Sequence, residues 1–264
     1  MAVEEDPNEL KRKIELLREL VATEKELDVR TDDNFMLRYL RCSEHDPDAA
    51  FHRMKSYYQL KFKYPNWFSE APDSVGELLS KGYFYVLSAR DREGRIVYVN
   101  ELGAIKEKSS MAHQSQLHDI FIEVITDDEE AQRKGVCVIV DVRDVSWKMM
   151  KWLTPGNIRV AVRKAETIPV KKIAYHVVNP NIILNLALKV ILPFLSSAIK
   201  ENIHIHNTWS SLHRIIDPDC LPVTYGGTMD LGAHKMFIDT NSEKLLRNLR
   251  LGYKKNSSNA CLDT

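Results

Sequence analysis

The residues best suited to chemistry in this chain are few and scattered. His204 and His206 stand two apart in IHIH, which puts two imidazoles on one face of a strand, the beginning of a metal site. No third ligand is nearby in sequence, so a metal is not expected. Asp141 ends the apolar run Val136 to Val140, a place where α/β enzymes hold a catalytic carboxylate. No base or nucleophile can be paired with it, and a turn or capping role is the stronger reading. The phosphate-loop pattern GxxxxGK[ST], the hydrolase elbow GxSxG and the zincin HExxH are all missing from the sequence. Tyr225-Gly226-Gly227 reads as a backbone turn rather than a phosphate cradle. The expectation is a protein with no catalytic residues and no cofactor. His118 is different in kind, because it shares a helical arc with Leu117, Phe121, Ile122 and Ile125. Its imidazole either hydrogen-bonds a hydroxyl or carbonyl on an apolar ligand or is satisfied by a backbone carbonyl.

Those residues must be positioned by elements of two kinds. Apolar residues recur at helical spacing over Glu9 to Ala22 and Thr31 to Arg41, with Thr31 and Asp32 as N-caps, and a third helix runs from Asp46-Pro47 to Tyr64 before Pro65. The period then changes. Tyr83 to Ala89 and Ile96 to Glu101 read as a hairpin, followed by a helix from Met111 to Lys134 and a strand from Val136 to Val140 that is apolar on both faces. Trp147 to Thr167 reads as helix broken at Pro155-Gly156, Ile173 to Val178 and Ile203 to Ile205 as strands, and Trp209 to Ile216 as helix. Strands alternating with helices predict an α/β lobe with a mixed, mainly parallel sheet behind an N-terminal helical unit. The expected division is 1–75 and 76–264.

Composition narrows the partners. In 264 residues Lys plus Arg and Asp plus Glu are 37 each, so no global field draws the chain to nucleic acid. MAVEEDPNELKRK has no apolar core of a secretory signal, and Cys42, Cys137, Cys220 and Cys261 show no CxxC spacing. Free thiols and a cytoplasmic, monomeric protein are expected. Asp263 in the terminal CLDT argues against prenylation of Cys261.

The stretch from Asn179 to His206 organises the rest. Only 11 residues from Ile182 to Leu192 precede Pro193, whereas a membrane span needs roughly 20. On a helical wheel Leu184, Ala187, Leu188, Ile191, Leu195, Ala198 and Ile199 share one broad arc, while Ile182 and Leu186 fall in the polar arc. Such a helix either covers a cavity and touches a membrane with its two outward aliphatics, or is a core helix with two stray surface side chains.

FMLRYLR at Phe35 to Arg41, GVCVIVDVRDV at Gly135 to Val145, HVVNPNIILN at His176 to Asn185, LPFLSSAIKENIHIH at Leu192 to His206 and LPVTYGG at Leu221 to Gly227, in this order and spacing, resemble the CRAL-TRIO, or Sec14-like, family of lipid-transfer proteins. Within that family they are similar to the branch holding the tocopherol and retinaldehyde carriers and the clavesins. The resemblance implies an N-terminal CRAL-TRIO-N helical unit and a lobe whose sheet floors a deep apolar cavity, gated by the helix matching Asn181 to Glu201. It implies as cavity lining Val136, Val138 and Val140, with Ile158, Val162, Ile168 and the gate residues Leu184, Ala187, Leu188, Ile191 and Leu195, against plain core packing for each. His118 and Ile122 join that set from their own helix. Ile182, Leu186, Lys171 and Lys172 are the implied membrane contacts. The tocopherol-carrier branch also has a basic phosphoinositide cleft at the gate. Lys171 matches one member of that cleft, but Ile173, Ala198 and Asn202 stand where others are basic, so only a diffuse attraction to anionic lipid is expected. The function this implies is an intracellular carrier of one hydrophobic small molecule, such as a tocopherol, retinoid or carotenoid, between membranes. A lipid-sensing adaptor is the alternative, and an esterase or isomerase is disfavoured by the missing nucleophile motif.

Overall fold

The computed structural model describes residues 6–69, 82–105, 109–229 and 247–254. Cys261 and the tail after Lys254 lie outside the described residues. The chain opens with helix α1 (Pro7–Thr23), the short strand β1 (Leu27–Asp28), α2 (Asp33–Arg41) and α3 (Pro47–Lys63). Each helix begins on an aspartate, Asp6, Asp32 or Asp46, whose carboxylate accepts from a backbone N–H in the first turn. Pro7 and Pro47 occupy the first helical position, where the missing donor costs nothing.

Five strands follow in the order β2 (Phe84–Arg90), β3 (Ile96–Glu101), β4 (Val136–Asp141), β5 (Ile173–Val178) and β6 (Ile203–His206), which is also their order in the sheet. β2 and β3 are antiparallel; β3 to β6 are parallel, so each later step needs a helical crossover. The crossovers are α4 (Met111–Ile125) with α5 (Glu129–Lys134), α6 (Pro155–Thr167), and α7 (Ile182–Ile191) with α8 (Ser197–Lys200); α9 (Trp209–His213) follows β6. The single helix expected from Met111 to Lys134 is broken at Thr126 to Asp128. Asp128 caps α5 by accepting from the Ala131 N–H, and Asp127 is turned into an ion-pair network.

The sheet is apolar on both faces. Its front carries Phe84, Val86, Tyr98, Val136 and Val138, packed with Leu117, Ile120, Phe121 and Ile125 of α4 and continuous with the core of the helical unit through Phe35, Tyr39 and Tyr58. Its back carries Tyr85, Leu87, Val97, Val99, Cys137 and Ile139, covered by Leu212, Ile216, Leu221 and Tyr225. The turn at Gly226 is left-handed (φ 74°), and a Cβ on Gly227 would stand 2.0 Å from the Leu221 carbonyl oxygen. That glycine pair is therefore a tight backbone turn.

Helical unit and lobe are joined by buried charge. Arg38 of α2 donates to Glu123 (2.9 Å) and to Asp127, and Arg30 donates to both Asp127 oxygens at 2.9 Å and to Asn248 at 3.0 Å. Burial works against the Asp127 carboxylate, but the Arg38 and Arg30 guanidinium groups override it and hold its pKa below the ordinary value. Near the far end of the chain, β7 (Gly252–Tyr253) pairs antiparallel with β1, and Lys61 of α3 donates to the Leu249 and Leu251 carbonyls. The helical unit thus incorporates a strand from the other end of the described chain.

Removing Arg38 leaves buried Glu123 without its cation and Asp127 with Arg30 alone, so Arg38→Leu is expected to cost about 3–5 kcal/mol in urea unfolding at pH 7. Asp127 has a depressed pKa in the folded state. Its contribution is present above the unfolded value near ~3.9 and is lost as pH falls through the lowered folded value. The gap between wild type and variant should therefore narrow below about pH 4. An unchanged unfolding midpoint at pH 7 would contradict the role given to this network.

Candidate functional site

β5 and β6 are parallel, with Tyr175 opposite Ile203 and Val178 opposite His206. The chain leaves β5 at its C-terminal end and must return to the N-terminal end of β6, and α7 with α8 makes that return. The back of these two strands is taken by α9, where Ser211 meets His206, so the returning helices cross the front. Here the structure departs from a continuous helix over Asn181 to Glu201. α7 stops at Ile191, a short 3-10 turn covers Leu192–Phe194, Leu195 is extended (ψ 141°) and α8 begins at Ser197. Pro193 has no N–H to continue the ladder. A single wheel therefore does not describe Leu195, Ala198 and Ile199, and Ala198 is exposed.

The start of the gate is pinned. Asn179, in the left-handed region at φ 53°, donates from its amide to Asp141 (2.8 Å), and Asn181 donates to the Val142 carbonyl (2.8 Å) while its Oδ1 caps Leu184 N–H (3.0 Å). Asp141 also accepts from the Arg143 backbone N–H at 2.9 Å, so it serves the turn. Farther along, the Arg159 guanidinium of α6 stands over the Phe194 ring at 5.9 Å. The body of α7 is otherwise loosely held. Its close backbone neighbours are the 3-10 segment Trp147–Trp152 and its own continuation rather than the strands. Of its ten residues only Ile183 is buried; Leu184, Leu186, Ala187, Leu188 and Ile191 are half-buried, and Ile182 is 68% exposed. The wheel thus placed Ile182 outward correctly and Leu186 too far outward, because the covered arc is centred nearer Ile183.

The residues expected to line the space divide into two sets. Ile122, Val136, Val138, Ile158 and Ile168 are closed off completely. Phe121 stacks on Phe84 (5.8 Å) and on Tyr98 (6.2 Å), sealing that end of the front face. Val140, Val162, Leu184, Ala187, Leu188, Ile191, Leu195 and His118 keep accessible surface. His118 sits deep all the same: burial, with the Lys164 ammonium second, lowers its pKa to about 3. Tyr175, in the same row as Tyr98 across β4, also keeps accessible surface while burial raises its phenol to about 12. Val140 at the end of β4, Val162 and the α7 residues thus keep accessible surface, whereas Val136 and Val138, nearer α4, are buried.

Lys164 was not singled out by sequence. Its ammonium contacts Ser115 Oγ (2.6 Å), the Trp67 carbonyl (2.7 Å) and Asp119 (2.7 Å) and lies 4.1 Å from the centre of the Phe68 ring. Burial pushes Asp119 up to about 6 and Lys164 down, each opposed by the partner's charge. This cluster fastens α6 to α4.

His204 and His206 belong to a second cluster on the back of the sheet. His176 stacks on both, at 5.0 and 5.2 Å. Ser211 Oγ donates to the Thr208 carbonyl (2.8 Å), so it accepts from His206 Nδ1–H (2.8 Å), and His206 Nε2 then accepts from His176 Nδ1–H (2.9 Å). A nucleophile–base pair needs the opposite polarity at the serine. Among the described residues no group of three or more His, Cys, Asp or Glu is placed to hold a metal. Lys171 and Lys172 are exposed at the start of β5, the opposite end from Ile182. About 20 Å of strand separates the two groups, so the structure does not bring them onto one patch. A surface groove of about 350 Å³ between α3 and β7, lined by Tyr58, Phe62 and Tyr253, contains none of these residues.

On the expectation that a ligand lies beneath α7, Leu188→Trp, at a half-buried position, should lower the lipid held per chain with little change in stability. In a filled core the same change would cost about 1–3 kcal/mol. Urea unfolding and lipid quantification of one preparation distinguish the two, and a destabilised variant with unaltered lipid content would contradict that expectation.

A family model described as the CRAL/TRIO domain matches residues 80–227, more than half of the chain. Clavesin-1 of Xenopus laevis is 30% identical over 236 residues, covering 87% of this chain and 71% of the relative. Clavesin-2 of Homo sapiens is 28% identical over 237 residues, covering 87% and 72%. The crystal structure of Sfh5 superposes with a TM-score of 0.59 at 12% identity, over 89% of this chain and 92% of that one, which is likeness of fold. With the sheet order, the gate crossover and the matched domain in agreement, this chain belongs to the CRAL-TRIO family of lipid-binding proteins.

Proposed function

We propose that the protein lifts one apolar molecule out of a membrane, encloses it between α7 and the front of the sheet, and delivers it to another membrane. The observation that carries this is the gate: IILNLALKVI has eight apolar residues in ten, yet a single one is buried. A helix of that composition is stable in water only if something apolar completes its covered face. The need for a carrier follows from magnitude. A ligand with about 20 methylene-sized groups loses on the order of 16 kcal/mol on exposure to water, so it leaves a bilayer slowly unless it enters an equally apolar enclosure.

The same helix supplies the membrane contact. Ile182 is 68% exposed, and Trp147, in the segment packed beside α7, is 58% exposed, with Lys148, Lys151 and Lys189 exposed around them. Aromatic and aliphatic tips ringed by lysines suit the headgroup boundary of a bilayer. Trp147 takes the place that sequence gave to Leu186. Lys171 and Lys172, joined by the exposed Lys200, give a diffuse attraction to anionic lipid of about 1 kcal/mol per residue rather than a shaped headgroup site. Among the described residues no helix is long and apolar enough to cross a membrane. On this reading the protein is a monomer that works in the cytoplasm and visits membranes transiently.

The test is movement of a labelled lipid from donor to acceptor vesicles. Wild type should accelerate it. Trp147→Ala combined with Ile182→Asp should slow it and weaken co-sedimentation with vesicles, while stability changes by less than about 1 kcal/mol, as for surface substitutions. Undiminished vesicle binding by the folded double variant would remove this contact surface. Loaded protein that binds vesicles but never exchanges its lipid would replace the carrier with a lipid-sensing adaptor.

A further inference from the structure

The groove between the end of α3 and β7 shares no residue with the gate or with the Trp147 segment. Its walls are held in place by the fold. Lys61 donates to the Leu249 and Leu251 carbonyls (2.5 and 2.9 Å), which ties the returning chain to the helix. Gly252, at φ 142°, lets β7 pass close to α3, where a Cβ would stand 3.3 Å from Tyr58 Cδ1. The resulting groove of about 350 Å³ has an apolar lining that includes Phe62, Pro65, Leu251 and Tyr253. Phe62 is 52% exposed, and its ring meets Tyr253 edge-on at 6.3 Å.

The charge around this groove has one sign. From Ala49 to Ser69, and again from Arg247 to Lys254, the chain has no Asp or Glu. Lys61 and Arg250 are the charged residues of the lining, and Lys63 and Lys254 directly follow Phe62 and Tyr253. Lys254 reaches Asp28 at 3.7 Å with both side chains exposed. Arg250 and Lys63, also exposed, have no carboxylate partner among the described residues. Other surface cations are paired along their own helices, Lys13 with Glu9 and Arg133 with Glu129. In a chain with equal numbers of acids and bases, cations gathered about an apolar groove are a local excess that an acidic partner would complement.

We infer that this groove docks a short acidic segment of another protein, whose aromatic or aliphatic side chain seats in the groove against Phe62 and Tyr253 while its flanking carboxylates pair with Arg250 and Lys63. Aromatic side chains and arginine carry much of the binding energy at protein interfaces, and the arginine fork receives a carboxylate bidentately. A bilayer is the poorer occupant. It is entered by side chains that project, as Trp147 and Ile182 do, whereas a groove turns its apolar surface inward. The inference is independent of the carrier reading.

The test uses the full chain and fluorescein-labelled octapeptides, read by fluorescence polarisation at about 0.15 M salt, where the Debye length is about 8 Å. Each peptide has Phe, Tyr, Trp, Leu or Ile at its centre and flanks of Asp and Glu, of Lys, or of Ser; a further acidic peptide has Gly at its centre. At least one acidic peptide with an apolar centre should bind about tenfold tighter than its Lys and Ser counterparts and than the Gly peptide, the ratio that one charge-assisted hydrogen bond supplies. Arg250→Glu and Phe62→Ala, both at exposed positions, should each weaken that binding at least about fivefold without moving the unfolding midpoint. Arg250→Lys should retain more affinity than Arg250→Glu. If no acidic peptide outbinds its Lys counterpart, or if neither variant weakens the binding, the inference is overturned. Loss of co-sedimentation with phosphatidylserine vesicles in both variants, at unaltered peptide affinity, would make the groove a membrane contact and overturn it as well.

Discussion

A sheet that is apolar on both faces has to be covered on both, and in this chain the two coverings are of different kinds. Behind the sheet, Leu212, Ile216, Leu221 and Tyr225 pack with Val97, Val99, Cys137 and Ile139, and all eight are buried. In front, α4 seals the β2 and β3 side through Phe121, but the β5 and β6 side is crossed by α7, of which only Ile183 is buried. Parallel pairing of β5 with β6 makes that crossover obligatory. The chain cannot have this sheet without a long connection across one of its faces, and on the carrier reading that apolar connection, pinned at one end, is the gate.

What lets the gate remain loose is the rigidity of everything around it. The Arg38 and Arg30 network holds the helical unit against α4, Lys164 holds α6 against α4, and Asn179 and Asn181 fix the point where α7 begins. Close packing and buried ion pairs resist small deformations. A helix attached at one end by side-chain amides and at the other through a proline-broken turn and one cation–π contact has far fewer constraints. On the carrier reading the least constrained element and the opening are the same piece of chain, as ligand-admitting segments usually are.

Much of this was legible in the sequence. Helix starts were readable because Asp32 caps one in the expected way and Asp46-Pro47 opens the next, and the parallel sheet because Val136 to Val140 is apolar on both faces. The gate stretch stood out by composition, and the family by five strings along the chain. The less legible parts depend on long-range partners. Asp127 and Asp128 read as helix interior until Arg38, far off in sequence, draws Asp127 out of it. Val136 and Val138 were expected at the ligand, and only the tertiary position of Phe121 and Ile168 shows them sealed. Trp147 was unremarkable in a segment read as helix, and its exposure is set by where α7 lies.

Hydrogen exchange of the gate amides bears most directly on the claim that α7 stands over a fillable space. In delipidated protein the amides of Ile183 to Ile191 should exchange faster by orders of magnitude than those of β4, and incubation with lipid-bearing vesicles followed by removal of the vesicles should slow them. Protection equal to that of β4 in the delipidated protein, unaltered by loading, would mean that α7 is an ordinary core helix and would contradict the account.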